Sequence, residues 1–83
     1  MTYQIQLFGP LADALRTRVV QLDLPPGTPA SVAQLLQQLA WLHPAQQPMI
    51  RSARLAVNCT FAAPDQRLQP TDELALIGMV SGG

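Results

Sequence analysis

The chain has 83 residues, 48% of them apolar and only 12% charged, with five arginines balanced by five acidic side chains. A chain of this length makes one small domain that buries about 60–65% of its unfolded surface, and the composition excludes an intrinsically disordered chain. Arg16, Arg18, Arg51, Arg54 and Arg67 are scattered without aromatic interleaving, which argues against nucleic acid or anionic lipid as a partner, and the single cysteine, Cys59, excludes an internal disulfide or a cysteine metal cluster.

The opening MTYQIQLFGP lacks the basic region and long apolar core of a signal peptide, and no apolar run reaches membrane-spanning length. A soluble, cytoplasmic protein with no membrane partner is expected. In TYQIQLF, Tyr3, Ile5 and Leu7 alternate with Gln4 and Gln6, the two-residue period of a strand with one buried face. Gly9 and Pro10 break it, and Leu11, Ala12 and Leu15 predict a short helical turn. RVVQLDL predicts a second strand with Val20, Leu22 and Leu24 on one face, ended by the turn signal Pro25-Pro26-Gly27-Thr28.

Ser31 followed three residues later by Gln34 is a capping box, in which the hydroxyl satisfies one orphan N–H and the amide reaches back to another. Val32, Leu35, Leu36, Leu39 and Leu42 form one apolar stripe behind it, so this is the main helix. Pro44 marks its end, because proline disfavours helix at the residue before it. HPAQQPM is expected to be a loop. ARLAVN predicts a third strand, Asn58 a turn, and CTFAA a weak fourth strand. PDQRLQPTDE is rich in turn residues, with Leu68 as its one large apolar anchor. LALIGMV is the last strand, with Leu74 and Leu76, or Ala75 and Ile77, turned to the core.

Strands and helix thus follow in the order β-β-α-β-β-β. The first two strands are expected to pair as a hairpin, and the last, arriving after a helical crossover, to lie parallel beside the first. The fold class this predicts is α+β: a β-grasp, or ubiquitin-like, domain over residues 1–83, its four- to five-stranded mixed sheet packed on one main helix.

The end of the sequence, VSGG, follows directly on the last strand. A pair of glycines without Cβ atoms can thread a narrow channel and leave the terminal carboxylate open to attack; it is also what a flexible end looks like. The residues around it resolve the matter by resemblance. Val57-Asn58, then Leu68, Thr71-Asp72-Glu73, the apolar Leu74–Ile77 run and the closing Val80-Ser81-Gly82-Gly83 resemble the C-terminal half of the MoaD/ThiS sulfur-carrier family. The likeness is strongest to MoaD, the small subunit of molybdopterin synthase. LFGPLADAL and SVAQLLQQLAWLHP resemble that family's first strand and helix more loosely. Gly78 and Met79 stand where the family has two prolines, which predicts a tether with more backbone freedom; Thr71 replaces a turn glycine and Ala12 a frequent arginine.

The resemblance implies chemistry at Gly83, with Gly82 beside it. An E1-like (MoeB-like) enzyme uses ATP to adenylate the carboxylate, sulfur from a donor displaces AMP, and a C-terminal thiocarboxylate results. Gly78, Met79, Val80 and Ser81 would contact the partners, with 80–83 as a flexible tail that enters a MoaE-like large subunit and gives its sulfur to the pyranopterin precursor of the molybdenum cofactor. The chain itself would be non-catalytic and would bind no metal or stable cofactor, ATP being used by the activating partner. The same fold also serves thiamine-type carriers and protein modifiers. The absence of lysine argues against chains built on this protein, though not against single attachments.

The remaining chemistry-bearing residues read more simply. Cys59 is expected to be a buried or inert thiol, and His43 to close the helix. Asp72 and Glu73 are expected to serve a turn, because neighbouring strand residues point to opposite faces. Phe8 and Phe61 are expected in the core. Trp41 and Met79 fit either the core or a partner patch, since interfaces are rich in aromatic residues and methionine.

Overall fold

A computed structural model describes residues 1–25, 27 and 29–78. Strand β1, Thr2–Phe8, buries every second residue, as its sequence period requires. Gly9 turns the chain into the short helix α1, Pro10–Leu15, whose first position suits a proline because no partner is needed for its missing N–H. Strand β2, Val19–Asp23, returns antiparallel to β1, with Gln6 opposite Val19 and Thr2 opposite Asp23.

Helix α2, Val32–Leu42, begins on the capping box read from the sequence: Ser31 Oγ accepts from the Gln34 N–H at 3.2 Å, and Gln34 Oε1 accepts from the Ser31 N–H at 2.8 Å. The next two orphan donors, Val32 and Ala33 N–H, reach the carbonyls of Gln66 and Pro64 at 3.0 Å each. The turn-rich loop therefore completes the helix start. Val32, Leu35 and Leu39 are buried along the stripe together with Ala40, whereas Leu42, in the last turn, is exposed.

The segment expected to be a loop is helical. A 3₁₀ turn over Pro44–Gln46 runs into α3, Gln47–Ser52, which buries Ile50 completely. Pro44 and Pro48 fall in the first turns of these two pieces, where a missing N–H breaks nothing. Prolines that look like breakers in sequence are here helix starters. Strand β3, Arg54–Val57, turns through Asn58 and Cys59 into the two-residue β4, Thr60–Phe61, and the chain returns to the middle of the sheet as β5, Leu74–Ile77.

The sheet order is β2-β1-β5-β3-β4. β5 runs parallel to β1 and antiparallel to β3, which is the β-grasp arrangement. Tyr3, Ile5, Leu7, Leu22, Leu55, Leu74 and Leu76 meet Leu35, Leu39, Ile50 and Leu68 in one core on the helix side. The Tyr3 hydroxyl accepts from the Ala30 N–H and donates to the Leu68 carbonyl, so the one buried phenol is satisfied. No helix among the described residues is long and apolar enough to cross a membrane.

Candidate functional site

The site is built at the end of β5. Because β5 is central, its last residue, Ile77, is flanked on both sides, by Phe8 of β1 and Arg54 of β3. The parallel ladder then extends one residue further: the Gly78 N–H donates to the Phe8 carbonyl at 3.2 Å. A Cβ built on Gly78 would stand 3.1 Å from Leu11 Cβ and 3.1 Å from the Leu11 backbone nitrogen. One built on Gly9, whose φ of +71° already disfavours a side chain, would stand 3.1 Å from the Gly78 carbonyl oxygen. The chain thus leaves the sheet pinched between β1 and the start of α1. The loosening expected from a lost proline does not apply at Gly78, because this N–H is bonded and proline would lose that bond. Met79, Val80, Ser81, Gly82 and Gly83, the other tail residues singled out in the sequence, lie outside the described residues.

Beside this exit the open face of the sheet carries an apolar patch, bordered by Gln6 opposite Ala75. The registers put Phe8 opposite Ile77, Ala75 opposite Ala56, and Ala56 opposite Phe61, with Arg54 carried over the Phe61 ring at 4.2 Å. Phe8 and Phe61 are 48% and 50% exposed, which corrects the expectation that they are core. The reason is the pleat: Tyr3, Ile5 and Leu7 point to the helices, so Phe8 must point away. The sequence held that signal. Trp41 is 76% exposed and lines, with Gln37, Gln38 and Arg51, a groove of about 1220 Å³ on the helix side.

Four of the scattered arginines come together in the fold. Arg18 immediately precedes the β2 residue opposite Gln6, Arg16 closes α1, Arg54 lies opposite Ile77, and Arg51 is in the last turn of α3 just before β3. All four are exposed at the pole where β1 and β5 end, joined there by one acid, Asp13 of α1. Asp23, Asp72 and Glu73 lie toward the opposite pole with Arg67. Only the topology reveals this division; chain order hides it.

Cys59 is exposed, not buried. It occupies the β3–β4 turn, where Asn58 and Cys59 have φ of 51° and 70°, so its side chain projects from a tight hairpin and finds no core to enter. His43 is the C-cap residue of α2, its N–H donating to the Leu39 carbonyl. Asp72 accepts from the Gln69 N–H at 2.7 Å and from Asn58 Nδ2 at 3.1 Å, and the Glu73 N–H donates to Asn58 Oδ1 at 2.9 Å. These residues, which carry part of the resemblance, hold a turn at the pole away from the tail.

A mixed sheet of this order, with its central strand ending beside an apolar patch, defines a ubiquitin-like β-grasp domain. The chain belongs to the ThiS family, whose profile matches residues 5–83. It is similar to the small archaeal modifier protein SAMP1 from Haloferax volcanii at 29% identity, with a TM-score of 0.78 over the full length of both chains. It shares its fold with a putative molybdopterin converting factor subunit 1 from Pyrococcus furiosus, at 17% identity and a TM-score of 0.79 over 96% of this chain and 99% of that one. A chain in a complex of subunits 1 and 2 of molybdopterin-converting factor from Helicobacter pylori is 15% identical, with a TM-score of 0.65 over both full lengths. No curated protein matches the sequence.

Proposed function

We propose that this chain is a sulfur carrier working through the carboxylate of Gly83, with residues 80–83 as the working tail of a single domain. The observation that carries the reading is the reach of the family match: it runs through Gly83, five residues beyond the point where β5 is pinned at Gly78. A carboxylate is a poor electrophile. Its oxygen attacks the α-phosphorus of ATP on an E1-like enzyme, pyrophosphate leaves, and the resulting acyl-adenylate is open to sulfur, which expels AMP and leaves a thiocarboxylate. The likeness of the fold to molybdopterin-converting subunits supports delivery of that sulfur to a pyranopterin precursor on a MoaE-like large subunit.

A second reading has its own support. The 29% identity to an archaeal modifier over the whole of both chains favours attachment of Gly83 to an amine on another protein, through the same adenylate. The two readings share the first step and divide at the second. Intact mass after incubation with an E1-like enzyme, ATP and a sulfur source separates them. The carrier reading expects the C-terminal peptide to exchange one oxygen for sulfur. An adenylate that goes on only to an amide with protein amines would replace it with the modifier reading. No reaction at Gly83 would overturn both.

A further inference from the structure

We infer that the pole from which the tail departs is a basic docking collar, and that the enzyme activating the tail receives it on an apolar spot rimmed by carboxylates; this rests on the function proposed above. The collar is four exposed arginines, Arg16, Arg18, Arg51 and Arg54, drawn from the α1–β2 connection, α3 and the start of β3. Arg54 stands opposite Ile77 in the sheet, Arg18 opposite Leu7 at the edge strand, and Arg51 reaches the same pole from the helix side, so the apolar Phe8 and Ile77 share this pole with them. Asp13 stands among them, while Asp23, Asp72 and Glu73 lie at the other end of the sheet.

The net charge of the chain is zero, so charge gives no overall attraction to a partner of either sign. What it gives is orientation. The seven residues of β1 separate the poles by roughly 20 Å, well beyond the screening length of about 8 Å at physiological ionic strength. An approaching surface therefore feels the near pole and little of the far one. A carboxylate-rimmed surface meets the collar first, and from Gly78 the five remaining residues reach at most about 18 Å. Docking at the collar thus holds Gly83 within reach of a single channel mouth. The apolar Phe8 and Ile77 at this pole fit a protein surface, with arginine to carboxylate pairing beside them.

The test compares two folded variants in the adenylation reaction, read as ATP–pyrophosphate exchange. One reverses the collar (Arg16→Glu, Arg18→Glu, Arg51→Glu); the other reverses the far pole (Asp23→Arg, Glu73→Arg). Thermal melts confirm that each folds, and the single Arg51→Glu variant serves if the triple does not. The collar variant is expected to lose tenfold or more in kcat/KM, about the lower end of electrostatic steering, with kcat within about twofold because the tail is unchanged. Added salt should lower kcat/KM for the wild-type chain and not for the collar variant. Equal losses in both variants, a loss confined to kcat, or a wild-type rate indifferent to salt would each overturn the collar. A wild-type chain that is never adenylated overturns the function reading, and the collar with it.

Discussion

Gly78 is the residue where the backbone of the sheet meets the proposed working tail. It is boxed in by Leu11 on one side and bonded to Phe8 on the other, and its carbonyl oxygen crowds any side chain placed on Gly9. Gly78→Ala is expected to cost about 1–3 kcal/mol, since the added methyl group pushes on backbone as well as side chain and overpacking of this kind is poorly absorbed. Urea unfolding checks the number. If the reading of the exit is right, the same variant also slows adenylation more than its stability loss explains, because the chain then enters residue 79 at a changed angle. A variant of wild-type stability would mean that Leu11 yields freely and that the pinch does not hold the chain. None of this was legible in the sequence. Gly78 looked like a loosened tether because its neighbour Leu11 is far away in the chain, and close approach between distant backbones leaves no local signal.

At the scale of elements, what repeats locally was legible and what depends on contact was not. The capping box and apolar stripe of α2 and the alternation of β1 were open to reading because their periods are set by the backbone itself. α3 was hidden by its prolines, whose meaning depends on whether they stand at the start of a helix or inside one. The β3–β4 hairpin lies between these cases. Its two loop residues, Asn58 and Cys59, both have positive φ, the conformation that suits Asn-Gly best. Asn58 satisfies the first position, and Cys59 bears the steric cost of the second. Cys59→Gly is therefore expected to stabilise the domain by about 0.5–1 kcal/mol net, after the glycine's greater freedom in the unfolded chain is subtracted from the relieved strain. A thermal melt decides it. A lowered midpoint would show that the cysteine side chain makes contacts worth more than its backbone strain.

The whole molecule divides its work between two poles, and the residues that resemble the sulfur carriers divide with it. The tail pole carries the exposed apolar patch, the collar and the pinched exit. The other pole carries Asn58, Asp72 and Glu73, tied by an Asn58 N–H to Glu73 carbonyl bond of 2.8 Å and by both polar atoms of the Asn58 side chain. Part of the motif that pointed to a function is therefore a fold motif, and the chemistry proposed above falls to the short end of the chain. This separation predicts opposite phenotypes. Asn58→Ala removes two side-chain hydrogen bonds and puts a residue with a Cβ but no polar group into a positive φ, so it is expected to lose about 2 kcal/mol. Below the melting transition its kcat/KM in adenylation should match the wild type, because the strand that presents the tail is fixed by its own ladder. Adding one residue after Gly83 should do the reverse, leaving the melt untouched while abolishing sulfur gain, since the reacting carboxylate has moved to another residue. Measured side by side, the pair tests the division directly: an Asn58 variant that folds but is not adenylated would mean that the far pole takes part in docking, and an extended tail that still gains sulfur would move the chemistry off Gly83.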